Sequence, residues 1–118
     1  MENATLIGTD LSNSVLAYAN LKYSALSNAN LTDADISYAI VNHANLTNAI
    51  LIDASFALSE LKNADLTGAD LTSANLGFAD LTDATLVAAN LTNVRWSNTI
   101  CPDGTYSDHN GNTCANNT

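Results

Sequence analysis

A leucine or a close substitute returns at every fifth position from Leu6 to Trp96, with no slip across nineteen units. The series includes Leu26, Ile36, Val41, Leu46, Phe56, Leu66 and Leu86. Two positions before each stands a small residue, alanine in fourteen units and Thr9, Ser14, Ser24, Ser59 or Val94 in the rest. A step of five advances a side chain about 140° round an α-helix and flips its face on a flat strand, so neither element buries this series together. The conflict vanishes if the chain turns a corner once per unit, with the central residue and the preceding small residue pointing inward. The pattern predicts a solenoid in which each unit touches only its neighbours.

The units Ala64-Asp65-Leu66-Thr67-Gly68, Ala69-Asp70-Leu71-Thr72-Ser73 and Ala89-Asn90-Leu91-Thr92-Asn93 resemble the A(D/N)LXX consensus of pentapeptide repeat proteins. The resemblance spans about four fifths of the chain. It implies an all-β fold, a right-handed quadrilateral β-helix with four units and twenty residues per coil. At the ordinary inter-strand spacing of about 4.8 Å, 4.75 coils give a rod roughly 23 Å tall. The expected division is a β-helix over 1–99 and a C-terminal cap and tail over 100–118.

With twenty residues per coil, Tyr18, Tyr38, Leu58 and Phe78 fall in one outward column, followed by Asn98. Stacked side chains in such a column act like cross-strand pairs, each contributing about 0.2 to 1 kcal/mol. Inside, each buried leucine contributes about 1.5 to 3 kcal/mol. Trp96, the last central residue, reads as a plug at the end of the tube, with its indole N–H free to find an acceptor near the tail.

The 118 residues fit one domain, and 47% hydrophobic with 13% charged residues is a globular composition. No run reaches the length of a membrane span, and Met1-Glu2-Asn3-Ala4 lacks a signal-peptide pattern. The twelve acids and three bases give a net charge of −9, against the basic footprint of nucleic-acid binding. The face carrying Leu11, Leu31, Leu51, Leu71 and Leu91 presents Asp10, Asp33, Asp53 and Asp70 and no base. Asp33 and Asp53 should be vertical neighbours, where like charges repel or attract a cation, although a solvated face is the commoner outcome.

The turn-rich stretch from Ile100 holds both cysteines. A metal site drawing on Cys101, Asp108, His109 and Cys114 is one reading, but twelve residues separate the thiols where zinc ligands come in tight pairs. A Cys101–Cys114 disulfide that pins the tail over the coil beneath is the favoured one, gaining roughly 3 kcal/mol in the chain-entropy model. The stretch also resembles the CPDG...C tail of some cyanobacterial and thylakoid-lumen pentapeptide repeat proteins. A disulfide favours the periplasm or thylakoid lumen, with an export signal removed, and the cytoplasm otherwise. At the other end Met1 to Thr5 are too few to cap the coil of Leu6 and Leu11, which invites a homodimer through the N-terminal coil.

No motif asks for a cofactor or a metal. His43 and His109 have no nucleophile or carboxylate at a recognised spacing, and a convex face gives Asp33 and Asp53 no cleft, so no enzyme activity is expected. The leading expectation is a non-catalytic scaffold or protein-interaction module with Tyr18, Tyr38, Leu58 and Phe78 as the contact. The alternative is an acidic DNA mimic that inhibits or protects a DNA-binding enzyme such as a topoisomerase, while no direct nucleic-acid or membrane binding is expected. The sequence does not name the protein partner.

Overall fold

The computed structural model of the protein describes residues 1–115. The last three residues of the expected cap and tail, 116–118, lie outside the described residues. Each residue just before a central aliphatic pairs in parallel with the residue twenty further on, from Thr5 with Ala25 to Asp80 with Ile100. A one-residue pairing per side suffices because its hydrogen bonds are repeated on every side of every coil. On one side, for instance, the Leu46 N–H donates to the Asp65 carbonyl at 2.7 Å, the Asn48 N–H to the Thr67 carbonyl at 2.9 Å, and the Asp65 N–H to the Ala44 carbonyl at 3.0 Å.

A turn closes each side, the N–H three residues after the central residue bonding back to its carbonyl, as Ala49 does to Leu46 at 3.0 Å, except at the last corner, where the Thr99 N–H donates to the Ser107 hydroxyl at 3.1 Å. The third residue of every such turn has a positive φ, between 47° and 68° from Asn3 to Asn98. This is where a turn of type II geometry demands it, and where Gly, Asn and Asp are tolerated best. Twelve of these twenty corners are Gly, Asn or Asp. The five-residue unit is therefore one short side plus one left-handed corner, and four corners complete the twenty-residue turn.

The inward stacks are buried and apolar. Leu26, Leu46 and Leu66 share one stack and Ile36, Phe56 and Leu76 another, all at most 1% exposed, with Ala29, Ala49 and Ala69 buried beside them. Serine in the small inward site is accommodated by hydrogen bonding within its own turn: the hydroxyls of Ser24 and Ser59 donate to the carbonyls of Leu21 and Phe56, each at 2.6 Å. Ser14, in the first coil, makes no such bond, and its buried Oγ has no partner among the described residues. Burial fades at the ends, where Leu6, Leu11 and Leu16 on one side and Leu91 and Trp96 on the other are only partly covered. The Trp96 ring packs on the core as expected of a plug, with no hydrogen bond from its indole among the described residues.

The leucine pattern lapses at Ser97, yet the backbone keeps its register. Thr99 fills the small inward site and Cys101 the central one, both fully buried, and the Pro102 carbonyl still accepts from the Asp83 N–H at 2.9 Å. The Thr99 hydroxyl donates to the Leu76 carbonyl at 2.7 Å, which lets a polar residue sit inward. The chain then reverses at Gly104, whose φ of 83° a side chain would oppose. Tyr106 pairs antiparallel with Ile100, the Cys101 N–H donates to the Thr105 carbonyl at 2.7 Å, and the Ser107 N–H donates to the Thr99 carbonyl at 2.8 Å. A short 3-10 turn, Ser107–His109, follows, and the Asp108 carboxylate accepts the Asn98 N–H at 2.8 Å. The Cys101–Cys114 disulfide, with Cα atoms 5.2 Å apart, fastens this hairpin over one side of the last coil.

Candidate functional site

The rod has Cα extents of 35 × 23 × 22 Å, and no pocket opens among the described residues. The candidate residues lie on its outer faces. The structure brings Tyr18, Tyr38, Leu58 and Phe78 to one line of corners, all exposed, with Tyr18 74% and Phe78 56% accessible. The Tyr18 and Tyr38 rings stack at 4.8 Å between centroids and 9° between planes. Beside the ridge, at the preceding position of each turn, stand the small residues Ala17, Ser37, Ala57 and Gly77. The result is an apolar ridge beside a shallow strip.

The backbone makes this ridge costly. All four residues have φ between 59° and 63°, a region that costs a non-glycine L-residue about 1 to 2 kcal/mol, and none is of the Asn, Asp or Gly type that fills most other corners. Stacking offsets part of this for the two tyrosines, at about 0.5 to 1.5 kcal/mol per ring pair. For Leu58 the structure offers no such offset.

The acidic face is the reverse case, because the fold accounts for each of its acids. Asp33 and Asp53 occupy corners with φ of 57° and 56°, which Asp tolerates. Asp10 and Asp70 sit on the preceding side and each accepts the backbone N–H two residues on, from Ser12 and Thr72 at 3.0 Å. Asx turns of this kind recur round the rod, with Thr hydroxyls donating to the same oxygen as at Asp70 and Asp80, each 2.6 Å.

These bonds hold several carboxyls below their ordinary range. Asp35 and Asp65 are lowered by the hydroxyl and then the backbone N–H of Ser37 and Thr67, against a small opposing effect of burial. At Asp80 burial raises the pKa, but the Thr82 hydroxyl and N–H and the Lys62 ammonium, 3.2 Å away, outweigh it. A carboxyl lowered on folding stabilises the fold fully above its unfolded pKa, near 3.8 here, and that contribution is lost as pH falls through the folded value. Relief of the net negative charge on acidification acts in the opposite sense, so the informative quantity is a difference between variants. Asp65→Asn keeps the acceptor and loses the titration; wild type should melt above this variant at pH 7 and lose that margin below about pH 4. Parallel melting curves throughout would refute a titrating role for Asp65.

Tyr23 and His43 form a second ring stack, with centroids 4.9 Å apart, and the Lys22 ammonium lies 5.0 Å from the Tyr23 centroid. His109 packs edge-on against Tyr106 at 5.8 Å. The bridge consumes both thiols of the Cys101, Asp108, His109 and Cys114 set, and no group of three metal-binding side chains occurs among the described residues. No helix among them is long and apolar enough to cross a membrane. The corner strain under Tyr18, Tyr38, Leu58 and Phe78 is the feature that sequence reasoning missed. Its only trace in the sequence is that Asn, Asp and Gly favour the second position after each central leucine.

A twenty-residue parallel turn round a buried aliphatic interior defines a β-helix solenoid. The chain belongs to the pentapeptide repeat family, whose model matches residues 1–33, 29–68, 49–86 and 59–98. Among solved structures it is similar to the pentapeptide repeat protein Rfr23 from the cyanobacterium Cyanothece 51142, with 37% identity and a TM-score of 0.63 over 76% of this chain and 58% of that one. It therefore spans less than two thirds of that relative. A second similar structure, alr5209 from Nostoc PCC 7120, shares 26% identity with a TM-score of 0.57 over 84% of each chain. A third, from the Arabidopsis thaliana thylakoid lumen, shares 26% identity over 92% of this chain and 72% of that one, with a TM-score of 0.39. No curated protein matches the chain. The relatives imply a right-handed β-helix solenoid.

Proposed function

We propose that the protein is a non-catalytic interaction rod that docks a protein partner along the corner line Tyr18, Tyr38, Leu58 and Phe78. We read its body, 1–99, as a right-handed quadrilateral β-helix of 4.75 coils, nineteen units at four per coil, with 100–118 as the cap. One observation carries the functional reading: large exposed apolar side chains occupy left-handed corners whose backbone favours Asn or Gly. Strain kept at a surface position is a mark of a site with work to do. The partner lays an apolar stripe along the ridge, which spans about 14 Å at the inter-coil spacing.

The reading predicts a trade of stability against binding. Leu58→Asn relieves the corner and should stabilise the chain by about 1 kcal/mol, raising the melting midpoint by about 4 °C, while weakening the partner. Tyr38→Ala should also weaken the partner, whereas Asp53→Lys on the acidic face should not. An affinity capture from the native organism under non-reducing conditions, with these three variants beside wild type, reads the outcome. Binding that survives both ridge variants and fails with Asp53→Lys would transfer the site to the acidic face.

The acidic mimic of DNA draws its support from the net charge of −9 alone. Unchanged gyrase supercoiling in the presence of the protein would remove it. The disulfide supports the periplasm or thylakoid lumen as the compartment. The first coil offers a second surface, for a copy of the same chain.

A further inference from the structure

An asparagine side chain is chemically labile when the backbone nitrogen of the next residue is free to reach its Cγ, so the hydrogen bonding of that N–H separates safe asparagines from exposed ones. Fifteen asparagines lie among the described residues. Twelve of them precede an N–H that is already engaged: after Asn48, for instance, Ala49 donates to the Leu46 carbonyl at 3.0 Å, and after Asn98, Thr99 donates to the Ser107 hydroxyl at 3.1 Å. Asn90 and Asn112 are followed by Leu91 and Thr113, whose branched side chains crowd the nitrogen, and the Asn90 amide is itself held by Thr72 and Thr92. Asn110 alone precedes a glycine. The Gly111 N–H has no partner among the described residues, and apart from its chain neighbours no atom comes within 4 Å of where a Cβ would stand there. The other acidic or amide residue before a glycine in the cap, Asp103, is protected, because the Gly104 N–H bonds the Cys101 carbonyl at 2.8 Å.

We propose that Asn110-Gly111 is a site of spontaneous covalent modification, at which Asn110 converts to aspartate and isoaspartate with release of ammonia. The Gly111 nitrogen, its proton taken by solvent hydroxide, attacks Cγ of Asn110. The new N–C bond closes a five-membered succinimide as the Cγ–Nδ2 bond breaks, and the leaving nitrogen takes a proton from water and departs as ammonia. That proton transfer returns the hydroxide. Water then adds to one of the two ring carbonyls and reopens the ring. Opening at Cγ yields aspartate; opening at the main-chain carbonyl yields isoaspartate, with one more methylene in the backbone. Water is the only co-reactant, and the reaction rests on no property of the ridge.

The conversion acts on the cap. Asn110 is half-buried and donates through Nδ2 to the Thr105 hydroxyl oxygen at 2.6 Å, while that hydroxyl gives its one proton to the Asp103 carboxylate at 2.6 Å. A carboxylate at position 110 therefore meets an oxygen with no proton left to offer. Across Thr105 it also faces the Asp103 carboxylate, and like charges repel. The bond that ties the end of the 3-10 turn back to the hairpin is lost beside the bridge, since the same Nδ2 lies 4.0 Å from the Cys101 sulfur. The cap loosens over the last coil, and the coils themselves are untouched.

Incubation of the full, disulfide-bonded chain in mildly alkaline buffer, followed by reduction and tryptic mass mapping, tests this. Asn110 should exchange NH for O at least about tenfold faster than any coil asparagine, whose following N–H is freed only by local opening. Part of the product should label with an isoaspartyl methyltransferase. Gly111→Ala should slow the conversion severalfold, and Asn110→Gln, whose longer side chain disfavours the ring, should abolish it. Freshly made Asn110→Asp should show the same faster protease cleavage between Asp103 and Cys114 as the aged wild type. Conversion of a coil asparagine as fast as Asn110 would overturn the site, as would an intact Asn110 under conditions in which the reduced, unfolded chain converts there. An Asn110→Asp cap as resistant to protease as that of fresh wild type would overturn the loosening.

Discussion

Replacing Leu66 by alanine should remove about 3 to 5 kcal/mol of stability, a large share of what a chain of this size possesses. Leu66 is fully buried, stacked between Leu46 and Leu86 and flanked by Ala64 and Ala69. The surrounding backbone is held by hydrogen bonds on every side of every coil, so the wall has little freedom to collapse into the space a smaller residue leaves. The same change at Leu11, whose end of the core is already half open, should cost less than half as much. Urea denaturation followed by far-ultraviolet circular dichroism measures both. Equal losses at the two positions would mean that the interior is not the continuous apolar stack described above.

Removing the cap's fastening should have the next largest effect. Cys114→Ser breaks the bridge without touching the inward stack of the coils and should cost about 3 kcal/mol, the chain-entropy gain of closing a loop of this size. Cys101→Ser should cost more, because Cys101 also fills the central inward site of its unit, which a serine side chain fills less well. Both variants should keep the circular dichroism of the coils, since residues 1–96 do not depend on the bridge for their pairing, while becoming sensitive to proteolysis between Asp103 and Cys114. Identical losses in the two variants would show that Cys101 serves the bridge alone and contributes nothing to the stack.

The inward half of the structure was legible from the amino-acid pattern because packing dictates it. Leu26, Leu46 and Leu66 had to share a stack once the five-residue period ruled out helix and flat strand, and Tyr18 and Tyr38 met as a twenty-residue turn requires. The outward half was less legible, because backbone conformation rather than burial sets its meaning. Asp33 and Asp53 looked like an electrostatic feature, yet they stand at left-handed corners that accept Asp readily. Tyr38, Leu58 and Phe78 looked merely stacked, yet they stand at corners of the same kind that accept them poorly. The tail divided in the same way. The Cys101–Cys114 pairing followed from two cysteines in one short loop, and the antiparallel pairing of Tyr106 on Ile100 did not, since nothing in Thr105-Tyr106-Ser107 repeats the pattern before it.

Every face described above depends on residues twenty apart being vertical neighbours. Paired cysteines test that directly. Asp35 and Ser55 are bridged in parallel across adjacent coils, so Asp35→Cys with Ser55→Cys should oxidise to a second disulfide within the Cα separation such bonds require, whereas Asp35→Cys with Ile50→Cys, on adjoining sides, should not. Mass mapping of the oxidised monomers reads the result. Cross-linking of the second pair in place of the first would contradict a twenty-residue turn, and with it the ridge and the acidic face.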